Sequence, residues 1–246
     1  MGKAIETIHL RPTAPLAERV LLPGDPGRAL RLAQALLEQP KMFNHNRGLW
    51  GYTGTAADGR LLTIQSTGMG GPSLAIVISE LADLGARRLL RVGTCGALQD
   101  GLALGQILVA TEALADDGTS RSLGAPARVP ASRALLDALL NAGGNEVAAG
   151  PVVSTDLFYD ADDREAEWSA AGALAVEMEA AALFALAARR GVEAACALIV
   201  SDLLIPWRVR IEADELHAAE LRLGLLAVRT LVHVESAKAD SIGRSA

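Results

Sequence analysis

The chain has 246 residues, 50% of them hydrophobic, and a formal net charge of −6, so it can bury a large core but offers no basic footprint for a nucleic-acid backbone. Aromatic residues make up only 3%, too few for a base-stacking platform. The two cysteines, Cys95 and Cys196, lie in apolar strand-like contexts and give no disulfide framework, which fits reduced thiols and a cytoplasmic location.

The opening residues, Met1 to Glu6, lack the apolar core of a secretory signal, and Glu6 stands where a myristoylation motif wants Ser or Thr. In chain order, the patterns predict a strand at 19–22, a helix near 27–38, a strand at 61–66, a helix at 72–85 and strands at 88–92 and 106–111. A helix at 131–142, a strand at 148–153, a helix at 161–170, a strand at 174–178, a helix at 179–190 and a strand at 195–200 follow. A long helix at 213–236 closes the series. The most apolar helical stretch, 180–188, is too short to span a bilayer and is flanked by Glu179 and Arg189-Arg190, so no membrane partner is expected. The alternation of strand and helix predicts one α/β domain over residues 1–236, a three-layer α/β/α arrangement around a central mixed β-sheet. Residues 237–246 lose periodicity and are expected to be a disordered tail.

Ligands of such folds gather at the carboxyl ends of strands. Two predicted strand ends carry the marks of an anion site: Leu22-Pro23-Gly24-Asp25-Pro26-Gly27-Arg28, and Arg91-Val92-Gly93-Thr94-Cys95-Gly96. Glycines let backbone N–H groups approach a ligand, and an arginine fork holds two oxyanions at once. Two strand-end arginines suggest a shared anion. Gly68-Met69-Gly70-Gly71-Pro72-Ser73 opens a helix, but a dinucleotide fingerprint starting at Gly68 needs Gly or Ala where Ser73 stands, so a nicotinamide cofactor is not expected. No phosphate loop of the NTPase type exists.

In Val176-Glu177-Met178-Glu179-Ala180 two carboxylates sit where an apolar strand passes into an alanine-rich helix, a costly place for charge. At least one of them is expected in a cleft, accepting hydrogen bonds, for which the vicinal hydroxyls of a sugar are natural donors. Asp202 ends another apolar run, Ile199-Val200-Ser201. It reads either as a turn or cap residue, or as a buried acid held protonated for proton donation. His9, His45, His217 and His233 show no metal-ligand spacing, and Cys95 reads as a small packed residue without a partner base.

Taken together, Pro23-Gly24-Asp25-Pro26 with Arg28, Asn46-Arg47-Gly48 with Tyr52-Thr53-Gly54, Gly68-Met69-Gly70 with Pro72-Ser73, Arg91 to Gly96, Val176 to Glu179 and Ser201-Asp202 resemble the hexameric nucleoside phosphorylases. The match runs from about His9 to about His233 in the same order. The resemblance implies phosphorolysis, in which nucleoside and orthophosphate give free base and pentose 1-phosphate, with orthophosphate a co-substrate and no cofactor. It implies that Gly24, Arg28, Arg91 and Thr94 hold phosphate, joined by Arg47 of a neighbouring subunit. Met69, Met178 and Glu179 would hold the ribose, with His9 reaching in from the neighbour. Cys95, Gly96, Phe158, Tyr159, Val176, Glu177, Ser201 and Asp202 would line the base pocket. Residues borrowed across subunits imply a homo-oligomer, a hexamer built as a trimer of dimers.

The Ser201-Asp202 pair is of the purine type, and Asp202 is expected to protonate the purine N7. Thr94 and the Gly70-Gly71-Pro72 stretch resemble the uridine-cleaving members, and Arg164 falls where their base-reading arginine would, although Asp162 replaces the accompanying glutamine. Purine nucleosides are the expected substrates, with uridine or methylthioadenosine as alternatives. The purine enzymes' activating arginine has no clean counterpart; Arg208 and Arg210 are the candidates to pair with Asp202. A nucleosidase of the same fold would not need Arg28, Arg47 and Arg91, and a nucleoside-binding or structural protein would not need Asp202.

Overall fold

The computed structural model describes residues 6–159 and 164–243, with side chains as far as Val234. Strand β1 (Arg19–Leu22) is four consecutive buried residues, broken by Pro23-Gly24. Asp25 then caps α1 (Pro26–Leu36): its carboxylate accepts the N–H of Arg28 at 2.6 Å, with Pro26 in the first turn. This helix stops at Leu36, short of the expected 38, because Glu38 already begins β2 (Glu38–Asn44). Strands β2, β3 (Gly51–Thr55) and β4 (Leu61–Gln65) form an antiparallel meander, and β1 lies parallel between β4 and β5 (Arg88–Ala97). Helix α2 (Gly71–Leu84) leaves Gly70, whose φ of 82° only glycine adopts freely, and ends on left-handed Gly85.

The second half of the sheet closes on itself. Strand β10 (Glu193–Leu203) runs parallel to β5 and antiparallel to β6 (Ile107–Asp116). β6 pairs with β8 (Val147–Thr155), β8 with the short β9 (Ala175–Glu177), and β9 returns antiparallel to β5. These five strands make a ring from which β1, β4, β3 and β2 extend as an open wing. Smaller pieces complete the chain: α3 (Gly118–Ser122), β7 (Arg128–Pro130), α4 (Arg133–Gly143), α5 (Glu165–Ala170), α6 (Ala180–Arg190) and β11 (Val209–Arg210), which pairs with the end of β10.

Alternation along the strands divides the core in two. Leu21 of β1 and Ala195, Ala197 and Ile199 of β10 face the layer of α1, α4 and α7 (Ala213–Gly243), with Leu32, Leu139 and Leu223. Val20, Leu22, Cys196, Leu198 and Val200 face α2 and α6, with Leu74, Ile78 and Phe184. Each fully buried leucine of this kind stabilises by roughly 1.5–3 kcal/mol, which is why strands apolar on both faces commit to the middle layer. The expected three-layer α/β/α architecture with a mixed central sheet is present. The last helix keeps its backbone hydrogen bonding to Gly243, past the expected boundary at 236, and residues 244–246 lie outside the described ones. Among the described residues no helix is long and apolar enough to cross a membrane.

Candidate active site

The carboxyl ends of β1, β4, β5, β9 and β10 open into one cavity of about 590 Å³. Its floor is the loop between β1 and α1 laced to the loop between β4 and α2: Thr67 N–H donates to Pro23 O at 2.9 Å and Gly68 N–H to Gly24 O at 3.1 Å. A Cβ on Gly24 would sit 3.1 Å from the Gly68 carbonyl and face the Arg91 Nη1 at 3.9 Å, so glycine keeps this approach open.

Arg91 lies along β5, 4% exposed. Its Nε donates to Glu177 Oε2 at 3.1 Å and its Nη2 to Glu179 Oε2, while Nη1 is buried with no hydrogen-bond partner among the described residues. Burial works against this charge, but Glu179 and Glu177 outweigh it and push the guanidinium pKa up. Gly93 makes room for it, since a Cβ there would lie 2.9 Å from Nη2. Arg28, on the first turn of α1, reaches the same end of the cavity; its Nε donates to Glu220 Oε1 at 2.8 Å and its Nη1 to Val92 O at 3.4 Å. Thr94 lines the cavity three residues further along β5.

The two glutamates differ sharply. Glu177 accepts from Ser154 Oγ (2.5 Å), Arg91 Nε (3.1 Å), the N–H of Glu179 (2.9 Å) and the N–H of Ala180 (2.8 Å). It therefore serves as the cap of α6, and its carboxylate is spent on the protein itself. Glu179 accepts from Gly70 N–H, from Arg91 and from the Met178 backbone, fewer fixed partners than Glu177 has, so lone pairs remain for a ligand. Burial pushes the Glu179 carboxyl up; Arg91 opposes this and Glu177 adds to it. Met69 and Met178 flank this carboxylate on the cavity wall.

At the opposite end, a bulge in β10 between Val200 and Asp202 turns Ser201 and Asp202 toward the cavity. Ser201 Oγ stands 2.8 Å from Asp202 Oδ2 and 3.3 Å from the Cys95 carbonyl. Arg208 Nε donates to Asp202 Oδ1 at 2.9 Å, and its guanidinium lies 4.7 Å from the Phe158 ring centre. Phe158 meets Tyr159 edge to face at 5.0 Å. Gly96, Val176 and Cys95 complete the wall. Burial pushes the Cys95 and Cys196 thiols up, away from thiolate chemistry.

Three of the residues singled out in the sequence stand apart from the cavity of their own chain. Arg210 is 72% exposed in its side chain, 3.8 Å from Asp202, so of the two candidate arginines it is Arg208 that makes the close contact. His9 is held by Glu80 of α2, through its Nδ1 at 2.7 Å and its N–H at 3.1 Å, and its carbonyl accepts from Asn46 Nδ2. Arg47 is exposed at the tip of the adjoining turn, with a left-handed φ of 58°. The Asn44 side chain braces that turn by bonding the Leu49 carbonyl at 2.5 Å and the Asn46 N–H at 3.4 Å. Strain of this kind persists where the surroundings fix it. His9 and Arg47 thus share one outward patch.

Sequence reasoning missed Ser154, Glu220, Thr155, Leu157, Glu165, Trp168 and Leu204. The first two hold Glu177 and Arg28, and the rest line the cavity. Arg164, the candidate pyrimidine reader, is engaged elsewhere, with Asp116 at 2.6 Å and over the Trp168 ring at 5.3 Å. Asp162 lies outside the described residues. Among the described residues no cluster of three His, Cys, Asp or Glu side chains has a metal-holding arrangement.

A profile of the phosphorylase superfamily matches residues 18–231. The chain is 42% identical over 198 residues to a DeoD-type purine nucleoside phosphorylase of Caldanaerobacter subterraneus subsp. tengcongensis, covering 77% of this chain and 84% of that one. It is 36% identical over 238 residues to the DeoD-type enzyme of Clostridium beijerinckii, covering 94% of this chain and all of that one. The crystal structure of uridine phosphorylase from Vibrio fischeri ES114, complexed with 6-hydroxy-1-naphthoic acid, superposes with a TM-score of 0.80 at 29% identity, over 89% of this chain and 92% of that one. The chain belongs to the phosphorylase superfamily.

Proposed function

We propose that the chain is a pentosyltransferase that cleaves purine ribo- and 2′-deoxyribonucleosides with orthophosphate, giving free base and pentose 1-phosphate, and that it needs no cofactor. The observation that carries this reading is the buried Arg91 Nη1, with no hydrogen-bond partner among the described residues at a glycine-floored cavity wall, beside a carboxylate that keeps lone pairs for a sugar. The relatives named as purine nucleoside phosphorylases, 36–42% identical over most of the chain, support the purine branch. So does the pairing of Arg164 with Asp116, since Arg164 is not among the residues that line the cavity.

Orthophosphate sits between Arg28, Arg91, the Gly24 backbone and Thr94. Glu179 takes the ribose hydroxyls and, with Met69 and Met178, holds C1′ over the phosphate. As the glycosidic bond stretches the sugar gains positive charge, which the phosphate beneath it stabilises. The departing base gains negative charge, and Asp202 gives its proton to N7. Ser201 serves both states of that acid: its hydroxyl donates to the carboxylate after transfer, or to the Cys95 carbonyl while Asp202 holds the proton. Arg208 receives the nascent carboxylate at Oδ1. Cys95, Gly96, Val176, Phe158 and Tyr159 shape the base end, while Glu177, expected there from the resemblance, is committed to Arg91, Ser154 and the start of α6.

His9 and Arg47 complete the site of a neighbouring subunit in a homohexamer, a trimer of dimers, and the enzyme works in cytoplasmic purine salvage. The outward His9–Asn46–Arg47 patch supports that assignment. The test is chromatographic: base release from adenosine, inosine, guanosine, methylthioadenosine and uridine, each with and without orthophosphate. Phosphate-dependent release from the purine nucleosides is expected. Release from uridine alone would move the enzyme to the pyrimidine branch, and phosphate-independent release would make it a hydrolase.

A further inference from the structure

A buried carboxylate outside the cavity holds one of its arginines. Glu220 of α7 is 3% exposed. Its Oε1 accepts from Arg28 Nε at 2.8 Å, and its Oε2 accepts from Arg31 at 3.0 Å (Nε) and 2.7 Å (Nη2). It reaches α1 because the helices meet at Gly224, one turn further on, where an added Cβ would lie 2.6 Å from Leu32. The Val92 carbonyl takes Arg28 Nη1 at 3.4 Å. Nε–H and one N–H of Nη1 of Arg28 are thus occupied by protein, and among the described residues Nη2 has no hydrogen-bond partner. A long, rotamer-rich side chain is in this way held in one orientation with its Nη2 amino group left open, on a residue that lines the cavity.

We infer that Glu220 is a positioning residue for phosphate: it acts through Arg28, by fixing the guanidinium so that its open edge meets the anion. The inference rests on the phosphorolytic reading above. A rival consequence of the same contacts has the opposite sign. If Glu220 merely diluted the positive charge of Arg28, its neutralisation would tighten phosphate binding. If it positions Arg28, neutralisation loosens it, because glutamine keeps one acceptor oxygen where Oε1 and Oε2 each hold a guanidinium, and presents a donor NH2 in place of the other.

The experiment measures initial rates of purified wild type, Glu220→Gln, Arg28→Met and the double variant, varying orthophosphate and inosine separately, with melting and size-exclusion profiles as a check on folding and assembly. Losing a hydrogen bond to a charged group predicts that Glu220→Gln raises the phosphate KM by about tenfold or more, with the inosine KM unchanged. In the Arg28→Met background the same substitution should add nothing. An unchanged or lower phosphate KM, or an equal rise without Arg28, overturns the inference. Glu220→Asp keeps the charge but withdraws it by one methylene and should give a smaller rise of the same sign; if Glu220→Gln does not assemble, that sign decides. A wild type whose turnover ignores phosphate would refute the phosphorolytic reading itself, a result distinct from a phosphate-dependent wild type that Glu220→Gln leaves unaltered.

Discussion

Asp202→Asn isolates proton donation. The amide is isosteric, its oxygen still accepts from Arg208 Nε where Oδ1 sits at 2.9 Å, and its NH2 can donate to Ser201, whose hydroxyl has the Cys95 carbonyl at 3.3 Å as an alternative acceptor. Half of the ion pair is lost, but the Arg208 side chain is 43% exposed, and pairs of that kind contribute only about 0–1 kcal/mol. The melting temperature and assembly should therefore barely change. What asparagine cannot do is part with a proton. General-acid assistance is typically about 10²–10⁴-fold, or about 2.7–5.4 kcal/mol of barrier at 1.36 kcal/mol per tenfold. The loss should appear in kcat for inosine and adenosine. 7-Methylguanosine supplies the control, because its base already carries positive charge at N7 and leaves without protonation. Steady-state rates on inosine and 7-methylguanosine, wild type against variant, should show a large loss on the first and a small one on the second. Equal losses on both would mean that Asp202 orients the base rather than protonating it.

The remaining expectations concern the opposite end and the scaffold. Arg91→Met should raise the phosphate KM by about tenfold or more through the lost charged hydrogen bond. It should also lower stability by about 3–5 kcal/mol because Glu177 and Glu179 lose a shared buried counter-charge; an unaltered phosphate KM in a folded variant would remove the anion site. Glu177→Gln leaves buried donors among Ser154, Arg91, Glu179 and Ala180 unsatisfied at roughly 1–3 kcal/mol each, so denaturant titration should show destabilisation while the ranking of bases stays the same. A changed ranking would return its carboxylate to base recognition. Asp58 is held below the usual carboxylate range chiefly by its hydrogen bond to Arg19, despite burial. A group lowered in the folded state contributes stability that is present above its unfolded pKa and lost as pH falls through the folded one. The stability gap between wild type and Asp58→Asn should thus be full above about pH 4 and close in acid, and a gap independent of pH would contradict that origin.

The strands that fill the middle layer were legible because both faces are apolar: β1 and the first half of β10 are unbroken buried runs. Strands β2 and β3 were not, since Glu38 to Lys41 is exposed and polar and Gly51 to Thr55 holds two glycines. Their strand character comes from pairing along the wing, a long-range effect. β5 was expected to end at Val92 but continues to Ala97 through two glycines, because β10 and β9 flank it there. The cavity residues were readable for a related reason: glycines and arginines at apolar strand ends have few uses other than binding anions. Ser154 and Glu220 gave no such signal. One is a serine near the end of an apolar strand and the other a glutamate in an amphipathic helix, and only the packing of β8 against β9 and of α7 against α1 gives them a partner.

At the anion end each guanidinium is matched within the protein. Arg91 meets Glu177 and Glu179, and Arg28 and Arg31 share Glu220. These three cations thus face three buried carboxylates, with Asp25 a further 3.8 Å from Arg31, before any ligand arrives, so on the proposed reading orthophosphate enters as excess negative charge, partly offset by Arg47 from a neighbour. At Arg91, a site built only to bind phosphate would do better without Glu177 and Glu179. What such a balance favours is a state in which positive charge develops next to the anion, and that charge appears as the glycosidic bond stretches. The interaction then strengthens from ground state to transition state, which is the condition for raising kcat rather than merely lowering KM. Glu177 and Glu179, on this argument, limit ground-state phosphate affinity at Arg91 and leave the larger share of the electrostatic energy for the sugar cation, whereas Glu220 acts by positioning Arg28.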